Sequence, residues 1–134
     1  MKPTREGLPV LVMIHGFMSG GIQFVKMMRH LRNYYQVVTI DLLGMGASGR
    51  PSDVEFSGYE SCINFFDDSI QQWARLTSTG QNGEKFHLLG HSLGGLIAGN
   101  YALRHPEQVD RLVLMSSVGV SEKPAYLEDE NFVS

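Results

Sequence analysis

The sequence predicts an α/β fold, a parallel sheet of about four strands flanked by helices. Three observations predict it. Four apolar runs of strand length alternate with three segments of helical periodicity along the 134 residues, and such alternation builds right-handed βαβ units. The runs are nearly continuous, as in Val10-Leu11-Val12-Met13-Ile14, which marks strands covered on both faces. Apolar residues make up 43% and charged residues 19%, with a net charge of −3; this balance supports a buried core and excludes a disordered chain. No repeat or low-complexity tract divides the sequence, so residues 1–134 are expected to form one domain.

The first strand is expected over Val10–His15. Ser19 then stands where it can cap a helix over Gly20–Arg32, in which Phe24, Met27, Met28 and Leu31 recur at helical spacing. Gln36–Asp41 reads as the second strand, and a loop rich in Gly, Ser and Pro runs from Leu42 to about Gly58. Ser57-Gly58-Tyr59-Glu60 has capping-box spacing. It opens a second helix with Tyr59, Cys62, Ile63, Phe66, Ile70 and Trp73 on its apolar face; Asn64, Asp67, Asp68, Gln71 and Arg75 turn away. Thr77–Gly83 is a polar turn and Phe86–Leu89 the third strand. A third helix follows Ser92 and runs to about His105, where Pro106 marks its end. Val109–Ser116 is the fourth strand, and Gly119–Ser134 is polar and acidic without a clear period.

Gly90-His91-Ser92-Leu93-Gly94-Gly95 joins the third strand to the third helix, and G-x-S-x-G in that context is the pattern of a nucleophile elbow. A serine hydroxyl is a poor nucleophile until geometry and a base improve it. A sharp strand–helix turn holds Ser92 above the sheet, where base and carbonyl can both reach it. That turn brings strand and helix close, so only small residues fit at Gly90, Gly94 and Gly95. Two backbone amides are candidates for an oxyanion hole. His15-Gly16-Phe17 closes the first strand and can aim the Phe17 amide at the site. The Leu93 amide, at a helix N-terminus, is the second.

The chain resembles the N-terminal half of an α/β-hydrolase-fold protein. Four segments carry the resemblance over about residues 8–120: His15-Gly16-Phe17, Asp41-Leu42-Leu43-Gly44-Met45-Gly46-Ala47-Ser48, the Gly90–Gly95 segment, and Arg104-His105-Pro106-Glu107-Gln108-Val109 leading into Leu112-Val113-Leu114. Asp41–Gly46, Phe65–Trp73 and Val118–Pro124 look most like the branch of lysophospholipases and acyl-transfer-linked lipid proteins. The resemblance implies a sheet order of second, first, third, fourth strand, truncated before the lid and the C-terminal strands. It implies a tail from about residue 119 that begins a lid or is disordered. It also implies a lipid or other apolar acyl ester as the small-molecule substrate, and an exposed sheet edge through which the chain could self-associate.

The base and the acid of a triad are not identified. In this fold they follow the serine as Asp or Glu, then His. The only histidine after Ser92 is His105, at the far end of the helix that Ser92 begins, roughly 20 Å away at 1.5 Å per residue. His91 belongs to the elbow and His15 to the oxyanion loop, which it orders rather than titrates. His30 and His87 lie on a helix and a strand without a motif. Asp41 anchors its own loop, and Glu122, Glu128, Asp129 and Glu130 lie in the tail.

Other functions are disfavoured. Gly44-Met45-Gly46-Ala47-Ser48-Gly49 matches G-x-G-x-x-G, but Arg50-Pro51-Ser52-Asp53 continues a loop where a dinucleotide site would open a helix. Mixed charges give no nucleic-acid footprint, and neither metal nor cofactor is expected. The apolar runs fall short of a membrane span, and the first one ends in His15-Gly16 rather than a cleavage site. The single cysteine, Cys62, sits on an apolar helix face and fits a reducing, cytoplasmic setting. Two readings follow: a serine hydrolase of carboxylic esters, inactive as this stretch alone, or a non-catalytic binding module on a hydrolase scaffold.

Overall fold

The computed structural model describes residues 7–119. The strands are β1 (Val10–Ile14), β2 (Gln36–Ile40), β3 (Phe86–His91) and β4 (Val109–Met115). The helices are α1 (Val25–Leu31), entered through a 3-10 turn at Gly21–Phe24, then α2 (Tyr59–Leu76) and α3 (Leu93–Arg104). All strand pairs are parallel and the order is β2-β1-β3-β4. Expected order and observed order agree.

Alternation within the apolar runs explains why they are continuous. Side chains point to opposite faces at successive strand positions. Val12, Ile14 and Leu88 therefore pack with Phe66, Ile70, Ile97, Ala98 and Tyr101. Leu11, Met13 and Leu89 pack on the other face with Phe24, joined by Met27, Met28 and Leu31. Val12 lies opposite both Val38 and Leu88 in register, so the best buried strands occupy the centre. β4 differs: at one edge of the sheet among the described residues, it leaves Leu112, Val113 and Leu114 exposed at 38%, 48% and 39%.

Four local expectations are corrected. Ser19 makes no side-chain cap; the first helix begins at Gly21 as a 3-10 turn, and the Ser19 amide donates to the Gly16 carbonyl at 3.3 Å. The capping box does not form either, because Gly58, at φ 142°, occupies the N-cap. Ser61 Oγ instead accepts from the Ser57 amide, and Glu60 reaches Arg104 on α3 at 3.2 Å. Asp67 and Gln71 are not turned to solvent but are buried at 8% and 9% exposure. They lie where the flank of α2 meets the end of α3: Asp67 Oδ2 is 3.0 Å from His105 Nε2, and Gln71 Oε1 accepts from Gln108 at 3.5 Å. Finally, β3 runs on to His91, two residues beyond its expected end. The expected tail, from residue 120 onward, lies outside the described residues.

Candidate active site

Ser92 is the sole residue between β3 and α3. Its backbone sits at φ 54° and ψ −118°, a region that L-residues rarely occupy and that costs about 1–3 kcal/mol. The main chain is held there from several directions. Its amide donates to the Met115 carbonyl at 3.2 Å, while its carbonyl accepts from Gly95, Leu96 and Val118. The end of β4 thus fixes the turn at the end of β3.

The surrounding glycines have steric causes. A Cβ at Gly90 would collide with the Gly94 carbonyl and lie 2.6 Å from the Gly95 Cα. At Gly94 it would strike the carbonyl oxygens of Ile14 and His15, at the end of β1. At Gly95 it would lie 2.6 Å from the Ser117 Cβ. The first two obstacles are backbone, which cannot give way as a flexible side chain can.

The loop after β1 lies directly against Ser92. A Cβ on Gly16 would stand 3.1 Å from the Ser92 Cβ and 3.1 Å from His91 Nδ1. His15 is fully buried; its Nε2 accepts from the Leu42 amide at 3.0 Å, so Nδ1 carries the proton and donates to the Gly16 carbonyl at 2.7 Å. The imidazole therefore ties the loop after β1 to the loop after β2. Gln23 Oε1 accepts from the Gly16 amide at 3.4 Å. Phe17 follows, 68% exposed, and its amide has no acceptor among the described residues. Leu93, the first residue of α3, has an amide with no intrahelical acceptor by the geometry of any helix start.

Asp41 braces the same region from just beyond β2. Its Oδ1 accepts from the Gly21 amide at 2.6 Å and Oδ2 from the Ala47 amide at 2.8 Å; its carbonyl accepts from Ser48 Oγ. The Ala47 bond, then the Gly21 bond, hold its carboxyl below the usual range against a smaller opposing effect of burial. The carboxylate is thus committed to two loops, with the positive-φ Gly46 packed against it.

Neither imidazole nor carboxylate reaches the Ser92 hydroxyl among the described residues. His91 Nδ1 is buried without a hydrogen-bond partner. His87 faces Asp110 at 3.3 Å, and His105 faces Asp67. Around His105, the Tyr101 hydroxyl donates to Gln108 Oε1 at 2.7 Å, and burial first, then Asp67 and Glu107, push that phenol's pKa upward. Residues 42–58 contain no helix, so the glycine-rich stretch stays a loop clasped by Asp41. Sequence reasoning missed Gln23, Leu42, Met115 and Val118. Three of these act through backbone atoms, which leave no signature in residue type.

The family model of the α/β-hydrolase fold matches residues 9–133. The chain belongs to the α/β-hydrolase family. It is 41% identical over 118 residues to a 1-acylglycerol-3-phosphate O-acyltransferase of Arabidopsis thaliana, covering 88% of this chain and 27% of that protein. It is 36% identical over 114 residues to the human 1-acylglycerol-3-phosphate O-acyltransferase ABHD5, covering 85% and 31%. Among solved structures, a bacterial membrane phospholipase A superposes with a TM-score of 0.77 at 32% identity, covering 96% of this chain and 39% of that one. The α/β-hydrolase segment thus spans about a quarter to a third of the length of these curated relatives. No helix among the described residues is long and apolar enough to cross a membrane.

Proposed function

We propose that this segment carries the nucleophile and the oxyanion hole of a serine enzyme acting on acyl esters of lipids. The Ser92 hydroxyl attacks the ester carbonyl, its proton passes to a base, and the alcohol leaves to give an acyl-serine. The Phe17 and Leu93 amides receive the developing oxyanion, a role worth about 10²–10³ in rate per donor. Water then releases a free acid, or a second alcohol takes the acyl group. The observation that supports this reading most is the strained Ser92 backbone, held by four main-chain bonds between glycines that cannot bear a Cβ. Lipid acyl chemistry is favoured because relatives above 30% identity are named for it.

The acid and base belong, in this reading, to polypeptide outside these 134 residues. A non-catalytic binding module is the second reading, favoured by the absence of any imidazole at the Ser92 hydroxyl among the described residues. Turnover of a p-nitrophenyl acyl ester separates the two. A polypeptide extended beyond Ser134 is expected to turn over the ester, and Ser92→Ala to lower kcat by about 10³ or more. Equal rates for the extended polypeptide and its Ser92→Ala variant would establish the second reading.

A further inference from the structure

Residues 7–40 contain no Asp or Glu, yet carry Lys26, Arg29 and Arg32, in a chain whose net charge is −3; the adjoining Asp41 carboxylate is taken up by the Gly21 and Ala47 amides. The same stretch holds a run of exposed apolar side chains. Phe17 is 68% exposed, Met18 83%, Ile22 77% and Tyr34 68%. Met18 has φ 53°, so a non-glycine residue is held in the left-handed region with its thioether in solvent. Exposed bases suit water, but apolar side chains gathered at one place do not.

The two features meet at the first helical segment, Gly21–Leu31. Phe24, Met27, Met28 and Leu31 turn inward onto the sheet. Ile22, Lys26 and Arg29, spaced by four and three, therefore lie on the outward face, and all three are exposed. An open depression of about 240 Å³ beside them is lined by Val25, Met28, Arg29, Arg32 and Val37. Three apolar and two arginine side chains are thus gathered there. Phe17 and Met18 precede that segment in the loop that touches Ser92, and the Gly16 amide ties this loop to the segment by donating to Gln23 Oε1.

We propose that this face docks on the surface of an anionic lipid bilayer. Phe17, Met18 and Ile22 enter the boundary between headgroups and acyl chains, while Lys26 and Arg29 meet lipid phosphates and carboxylates. A polyanion without an apolar layer would match the bases and leave the three apolar tips in water. The proposal deepens the acyl-ester reading, since it states where the ester is collected. Its measurement involves no turnover, so either can fail alone.

Flotation of the 134-residue chain with vesicles through a density gradient tests it, because self-associated chain without lipid does not float. Binding is expected to phosphatidylcholine vesicles that contain phosphatidylserine, and much less to phosphatidylcholine alone. It should fall at high salt, as screening weakens attraction between exposed charges. The pair Lys26→Glu and Arg29→Glu should weaken binding by about tenfold or more, and the pair Met18→Ser and Ile22→Ser should weaken it too. Circular dichroism verifies that each variant is folded. No binding by the parent chain overturns the proposal. Undiminished binding by both folded variants overturns it as well, because docking would then lie elsewhere. So does failure of a polypeptide extended beyond Ser134 to bind the same vesicles, which would mean that other parts of the chain cover this face.

Discussion

Ser92 and its glycines show how far a single backbone conformation can dictate residue choice. Serine at φ 54° and ψ −118° is strained, and glycine there would be less so. Ser92→Gly is therefore expected to raise stability by about 1 kcal/mol, read as a higher urea midpoint. An unchanged or lower midpoint would show that the turn is relaxed. Gly94→Ala should act in the opposite sense, because its Cβ strikes two carbonyls at the end of β1; a loss above about 2 kcal/mol is expected in the same titration. Asp41 adds a pH dependence with a defined sign. Its folded pKa is depressed by two amide bonds, so its contribution is fully present above the unfolded value, about 3.9. It is lost as pH falls through the lower folded value. The stability gap between wild type and Asp41→Asn should accordingly be widest near neutrality and close toward pH 3. A gap independent of pH would contradict the clamp.

At the scale of elements, the strands were readable because burial on both faces leaves long apolar runs, and β1, β2 and β3 are such runs. The helix faces were readable only in their apolar half. Asp67 and Gln71 look solvent-facing by period, yet they are buried because α3 ends beside them in His105 and Gln108. No periodicity within α2 could announce a partner 38 residues away along the chain. His105→Ala leaves the Asp67 carboxylate buried without its imidazole, and a destabilisation of about 1–3 kcal/mol is expected by urea unfolding. Caps failed for a related reason. Gly58 at φ 142° and the 3-10 turn at Gly21 satisfy the chain path, and that path is set by packing rather than by the Ser57 or Ser19 side chains. β4 carries a separate consequence, because an edge strand with exposed Leu112, Val113 and Leu114 presents unpaired backbone and apolar surface together. Sedimentation of the 134-residue chain should show concentration-dependent association at micromolar levels; a clean monomer would count against a sticky edge.

Across the whole molecule, the candidate site is a meeting of three loops on one end of a parallel sheet. His15 joins the loop after β1 to that after β2, Asp41 joins the latter to the start of the first helical segment, and Ser92 bonds to residues at the end of β4. The small residues and the serine could be read from sequence, since steric limits act on residue type. The locking bonds could not, because most use backbone atoms. What these contacts assemble is a held serine with two nearby amides that have no acceptor among the described residues, in a segment that spans about a quarter to a third of its curated relatives. The most direct test is mass spectrometry after treatment with a fluorophosphonate probe, applied to a polypeptide extended beyond Ser134. A single adduct on the peptide containing Ser92, abolished by Ser92→Ala, is the expected result. An unlabelled polypeptide, or an adduct that persists in Ser92→Ala, would contradict the assignment of Ser92 as nucleophile.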